Sequence, residues 1–396
     1  MTTLVGVRRA LQGSVGSIAQ GGAPGVPNPT FWVPFSDAGA GAVNLNAYRG
    51  APGTVATFTR ATSATTWSSA GLLLTAATGV ARSVYTELTG ATYLGYLTEE
   101  ARTNEVLWCR DLTNAAWVKV TTTAALDQTG IDGTANAASS LTATAGNATT
   151  LQIITEASAA RSMSVYMKRI IGSGEIDITE NGGTAWTNVA GSINSSTYTR
   201  VAILNSSVLN PSVGFRIVTN GDKIAVDYVQ NELGAFVTTP IATTTVAVTR
   251  NVDVLSYPIA GNIDNTLGSA ALDVTTFAAT SVVGDYLSSI AGNRSILGNN
   301  GTSVTRFDGT TSGATGLTVA DNVSNRIGVS WSGVTANYAR NGALSASNPL
   351  TFDGNWEFTT IGIGSPGSGG SANAAIKNVR IWTRALTTTQ IVTATA

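Results

Sequence analysis

Of 396 residues only 11% are charged, against roughly 25% in an ordinary soluble domain. Hydrophobic residues make up 43% and the net charge is −1, so the chain can build cores for two or three units but carries no basic stripe for a nucleic acid. Histidine is absent, Cys109 is the single cysteine, and no apolar run reaches the ~18–20 residues that span a bilayer, which excludes Ser-His-Asp and Cys-His catalysis, His-ligated metals, internal disulfides and membrane insertion. Gly (43 residues), Thr, Ser and Ala stand where Lys and Glu usually would. Thr and Val suit a pleated surface and Gly supplies positive φ at tight corners, so the composition predicts an all-β protein.

In chain order, residues 1–30 read as an N-terminal arm. Leu4, Val7, Leu11, Val15 and Ile18 recur at three- or four-residue spacing, interrupted by Gly6, Gly13 and Gly16. They are candidates for docking on a neighbouring subunit, with a frayed tail as the alternative. Arg8 and Arg9 are not followed by a continuous apolar core, so no secretory signal is expected. Residues 31–106 give short apolar stretches (Phe31–Phe35, Val55–Phe58, Leu72–Leu74, Val84–Leu88, Tyr93–Leu97), a β-rich connector with little core of its own.

Residues 107–240 read as a first antiparallel sandwich. Ser164–Lys168, Glu175–Ile178, Thr199–Ile203, Gly214–Val218 and Lys223–Val229 alternate face by face, with turns at Asn181-Gly-Gly183 and Asn220-Gly-Asp222. Residues 241–262 read as a Thr-rich linker without charge clusters. Residues 263–396 repeat the strand-turn rhythm, from Ala271–Thr275 through Arg326–Trp331 and Thr335–Arg340 to Ala375–Trp382. They end in a short helical turn at Leu386–Ile391 capped by threonines. No internal repeat supports a solenoid.

Chemistry has few footholds. Glycosidases need only two carboxylates, so Glu175, Asp177 and Glu180, and the adjacent Glu99 and Glu100, keep that reaction class open. The expected role of these groups is as solvated strand charges that keep edges from pairing. Cys109, beside Trp108, reads as a buried structural thiol, since no histidine base is available to activate it. Trp108, Trp117 and Trp331 sit in strand-like apolar settings and are expected in the core. Trp186 and Trp356 sit by loop tips and are candidates for contact with a glycan or a neighbouring chain. Asp308 and Asp353 lie in loops too poor in ligands for calcium, so no metal and no cofactor are expected.

Three stretches carry a resemblance. Gly328-Val-Ser-Trp331, Tyr338-Ala-Arg-Asn-Gly342, Ile361-Gly-Ile-Gly364 and Ile376-Lys-Asn-Val-Arg-Ile-Trp-Thr-Arg-Ala-Leu386 resemble the second half of a laminin G-like (concanavalin A-like) jelly roll. There the Arg-Asn-Gly turn closes a hairpin, and Val379 and Ile381 are expected on a buried face with Asn378, Arg380 and Trp382 on a wet one. Phe58-Thr-Arg-Ala-Thr62, Gly71-Leu-Leu-Leu74 and Gly95-Tyr-Leu-Thr-Glu-Glu-Ala-Arg-Thr-Asn104 resemble a stretch found in phage virion proteins ahead of a sandwich module. Trp108–Trp117 with Tyr228–Phe236 resembles that module, which has a carbohydrate-binding-like architecture. Their order implies a structural protein on the surface of a tailed-phage particle: a head fibre, capsid decoration or tail fibre. It would be made in the host cytoplasm, assemble as a homotrimer, and have capsid, collar or tail subunits as partners. Recognition of a host surface glycan is the alternative, and a glycan depolymerase is a weaker one.

Overall fold

The computed structural model describes residues 25–278, 282–290, 294–309, 312–347, 350–351, 357–366 and 370–396. The protein is all-β, in packed antiparallel sheets, with one short helix at the C-terminal end of the described residues. Two five-stranded sheets form the first sandwich. One runs in the order Val118–Val120, Ala148–Ile153, Ser212–Ile217, Ile176–Thr179 and Thr187–Asn188. The other runs Thr122–Gln128, Ala138–Ala143, Lys223–Leu233, Ala159–Ile171 and Thr199–Val208. Trp117, Leu141, Met163, Val165, Ile178, Phe215 and Val226 fill the space between them. The Thr122–Gln128, Ala138–Ala143 and Ala148–Ile153 strands are built largely from Ala, Ser and Thr, so no alternation of large apolar residues announces them.

The second sandwich draws on most of the chain. Its larger sheet is centred on Ala374–Trp382, which pairs with Leu267–Thr276 on one side and with Phe31–Val33 and Tyr93–Thr98 on the other. Its smaller sheet holds Val283–Ser289, Arg294–Asn300 and Ile361–Ile363, then Val254–Tyr257 and Thr57–Thr59 from outside the C-terminal region. The expected connector is therefore sheet material of the C-terminal sandwich. Phe31, Val33, Phe35 and Tyr96 share its core with Leu272, Ile296, Val329 and Ile361. The expected linker is likewise corrected, since Val248–Arg250 pairs with Arg102–Asn104 and Val254–Tyr257 with Thr57–Thr59. Segments of three or four residues take their strand form from partners far away in the chain, which local pattern cannot reveal.

Both faces of the central strands are buried. In Tyr93–Thr98, Tyr96 enters the core of the second sandwich and Leu97 that of the first; Ile376 and Ala375 divide in the same way. The wet face expected around Trp382 is also corrected: the indole is fully buried against Leu386 and Ile391, and its Nε1 donates to Pro27 O at 2.7 Å. The cover is the helix Thr388–Ala394, started by a capping box between Thr387 and Gln390. The Arg-Asn-Gly hairpin forms as expected. Asn341 and Gly342 adopt φ of 48° and 76°, the two left-handed positions of the tight turn that sets Arg340 opposite Ala343.

Candidate functional site

Where the two sandwiches meet, charged groups are withdrawn from water in a chain poor in charge. Arg60 donates to Asp253 at 2.9 Å, and Arg82 bridges Asp253 and Glu99, the latter at 2.7 Å. Arg250 reaches Glu99 at 3.1 Å, and no side chain in this set is more than 2% exposed. Glu99 also accepts from the Thr239 amide at 2.7 Å and its hydroxyl at 2.6 Å. Glu232 lies close by, accepting from the amide and hydroxyl of Thr238, whose hydroxyl also accepts from Arg250. Three guanidiniums thus face three carboxylates, and further donors go to the carbonyls of Thr62, Ala77, Thr65 and Glu100, while Arg82 Nε and Arg250 Nε have no partner among the described residues. Burial alone would raise the Glu99 carboxyl, but Arg250, Arg82 and Thr239 outweigh it and hold it down to about 2.

The neighbouring residues complete this joint. Asn104 donates to the carbonyls of Val229 and Ile241 and accepts from the amides of Val106 and Asn231. Arg102 pairs with Glu100 and lies 4.3 Å over the Phe236 ring. The stretches at 58–62 and 95–104, singled out by resemblance, are where the N-terminal strands, the first sandwich and the second sandwich are tied together. Glu99 is therefore not the solvated strand charge it was expected to be.

Beside the joint lies a cavity of about 510 Å³. Its apolar wall includes Trp67, Val84, Leu94, Leu97 and Phe277, and Thr238, Thr239, Asn322 and Asn373 supply polar groups. Arg200 and Glu87 also line it, 4.0 Å apart. Arg200 donates to Thr238 O at 2.6 Å and Ser164 Oγ at 3.0 Å and lies over the Tyr166 ring. Asn373 is 1% exposed, and among the described residues neither its amide oxygen nor its amide nitrogen has a hydrogen-bond partner.

The carboxylates named from the sequence are distributed differently. Glu175 and Asp177 do share a face, where Arg216 binds them at 3.1 Å and 2.7 Å. Asp177 is buried, as is Glu180, which accepts from Ser206 and from Asn231 Nδ2. Burial pushes Glu180 up, and Ser206, Arg161 and Asn231 only partly oppose it. The solvated role expected of these two is thus corrected: Arg216 for Asp177, and Ser206 and Asn231 for Glu180, supply the donors that replace water inside. Trp186 is half-buried on the outer sheet face, one side of its ring covered by Arg216 at 5.0 Å. Trp117 and Trp331 are core residues, and Trp108 packs partly buried against the first core. Cys109 is buried and its thiol is pushed up by that burial. Trp356, Asp353, Leu4, Val7, Leu11, Val15 and Ile18 lie outside the described residues. Asp308 pairs with Arg306, and among the described residues no cluster of three metal-ligating side chains occurs.

Sequence reasoning missed Arg200, Thr238, Thr239 and Asn373. Arg250 and Asp253 lie in the stretch read as a linker without charge clusters. The usable signal was scarcity: with so few charges, five arginines and acids at 60, 82, 99, 250 and 253 beside apolar strands have to be accounted for. Asn373, in Ser-Ala-Asn-Ala-Ala, carries no such signal.

No family model matches the chain, and no curated protein matches it. Three solved structures share features of its fold. Domain 4 of AbnA, an extracellular arabinanase from Geobacillus stearothermophilus, in complex with arabinotriose, is 12% identical at a TM-score of 0.29, covering 41% of this chain and 82% of that one. The Trypanosoma rangeli sialidase in complex with sialic acid is 12% identical at 0.30, covering 57% and 33%. The CBM22-1-CBM22-2 tandem domain of Paenibacillus barcinonensis Xyn10C is 8% identical at 0.22, covering 68% and 93%. Likeness this distant carries no argument about function.

Proposed function

We propose that this chain is a non-enzymatic structural protein of a tailed-phage particle surface, a capsid decoration, head fibre or tail fibre. One observation carries the reading: the polar residues of the virion-like stretch, Arg60, Glu99, Arg102 and Asn104, are spent inside the protein on joining two sandwiches. Groups so fully committed to each other are suited to holding modules in fixed relation. In this reading the protein is made in the host cytoplasm and assembles as a homotrimer. It docks on other virion subunits through residues 1–30 and presents its sandwiches outward. The test is mass spectrometry and immunogold labelling of gradient-purified particles, with light scattering on the full-length chain. The chain is expected on the particle surface and as a trimer. Its absence from particles would sink the reading, and a stable monomer would remove the trimer.

A second reading, recognition of a host surface glycan, is favoured by a separate observation. The cavity beside the joint combines a wall that includes Trp67 and Phe277 with the exposed amide residue Asn322 among its lining.

A further inference from the structure

We propose that an apolar stripe on the outer face of the first sandwich, Val118, Val120, Leu151 and Ile153, seats the N-terminal arm of a neighbouring copy of this chain through Leu4, Val7, Leu11, Val15 and Ile18. The inference rests on the homotrimer proposed above and names the contact that holds it. Three observations lead to it.

The first is the stripe. Val118, Val120 and Ile153 are 60%, 54% and 71% exposed, and Val118 stands directly opposite the half-buried Leu151 in the ladder. Leu233, Ile171 and Val283 are also exposed, but they face Arg161, Lys223 and Asn300 across their ladders. Apolar residues scattered singly over a surface are ordinary, whereas an adjoining set marks a contact.

The second is the edge. Val118–Val120 is the outermost strand of its sheet and only three residues long. A lysine in such a strand usually guards it against another chain. Here the guard is withdrawn. Lys119 Nζ donates to the carbonyls of Leu112, Thr113, Asn114 and Trp117 at 3.0, 3.3, 3.0 and 2.8 Å. The strand's single charge is spent on its own preceding loop, and two valines are left to meet solvent.

The third is where the arm is rooted. Its apolar residues recur at three- or four-residue spacing and so give residues 4–18 one side to bury, with residues 19–24 as the link to Gly25. Gly25 is held beside the C-terminal helix, its carbonyl accepting from Gln390, at the Trp382 end of the strand Ala374–Trp382. The first sandwich meets the other end of that strand, at Ala375. It does so with the sheet that carries Arg200 and Ala202, so the stripe, on its other sheet, faces away. From Ile18 to Gly25 the link spans at most about 24 Å. Ala375 and Trp382 are about 23 Å apart along the strand, and two sheet spacings of about 10 Å each separate that strand from the stripe. These displacements together exceed the link, so the seat is offered to a neighbour's arm. Contacts between unlike surfaces of successive copies close into rings.

The test is light scattering and thermal melting of the full-length chain and of single charged variants. The native chain is expected as a trimer. Ile153→Glu, Val118→Glu and Leu11→Glu are each expected to give monomers that still melt cooperatively, with association weakened at least a hundred-fold. Leu233→Glu, also at an exposed site, is expected to stay trimeric, and its dissociation would overturn the assignment to the stripe. Mixing the Leu11→Glu and Ile153→Glu chains is expected to yield dimers, because one keeps the seat and the other the arm; no association on mixing would overturn the exchange. A monomeric native chain would overturn the trimer and the seat together. A trimer that survives both Ile153→Glu and Val118→Glu would overturn the seat alone. Dissociation by these two but not by Leu11→Glu would overturn the arm as the occupant.

Discussion

Glu99 and Glu180 are carboxylates of similar burial that titrate in opposite directions because their neighbours differ. Glu99 is held down to about 2 by Arg250 and Arg82 against the effect of burial, whereas Glu180, with neutral donors and a more distant arginine, is pushed up. For Glu99 the folded value lies below the roughly 4.3 of an unfolded chain, so its contribution is present above that pH and is lost as pH falls toward 2. For Glu180 the sign reverses: its contribution is present at low pH and is lost as pH rises through the raised value. Glu99→Gln should therefore cost about 3–5 kcal/mol at pH 7, because Arg82 and Arg250 are left buried without their counter-charge. Glu180→Gln keeps an acceptor for Asn231 and should stay within about 1 kcal/mol of the native protein, gaining on it as pH rises above the ordinary carboxylate range. Urea unfolding of both variants across pH 3–8 checks this; equal losses at pH 7 would show that charge pairing is not what distinguishes them.

At the scale of elements, the strand Tyr93–Thr98 is the hinge of the architecture, laid along Ala374–Trp382 with one face in each core. It needs Gly95. The residue has φ 132°, and a Cβ there would run into the carbonyl oxygen of Ile376 on the partner strand. Gly79 has φ 72° but nothing within 4 Å of its virtual Cβ. Gly95→Ala should thus lose about 2–4 kcal/mol from strain and displacement of the pairing, and Gly79→Ala only about 1 kcal/mol from strain. Thermal melts of the two variants separate the effects, and equal midpoints would mean that the strand junction tolerates displacement.

The molecule as a whole does not divide where its sequence rhythm divides. Residues 263–396 read as a laminin G-like jelly roll, but their central strand, paired with Leu267–Thr276 on one side, has no partner on the other without Phe31–Val33 and Tyr93–Thr98. The smaller sheet likewise needs Val254–Tyr257 and Thr57–Thr59. Expressed alone, 263–396 should aggregate or bind a hydrophobic dye without a cooperative melt, because unpaired edges and an open core remain. The full chain should unfold in one transition, since the buried joint and shared strands couple both sandwiches. A sharp melt from the isolated fragment would contradict this.

Composition and alternation by themselves determined that the protein is all-β. Local pattern also marked the threonine-capped helix and the core tryptophans at 117 and 331, and the jelly-roll resemblance marked the Asn341-Gly342 hairpin, because each of these depends on residues adjacent or nearly adjacent in the chain. The joint, the cavity and the true membership of the sheets were decided by tertiary structure. Arg60 meets Asp253 across 193 residues and Thr98 donates to Gly364 across 266, and nothing local at either end specifies its partner. A charged side chain in a sparsely charged sequence looks the same whether it will face water or a counter-charge; only the packing of two cores around it removes the water.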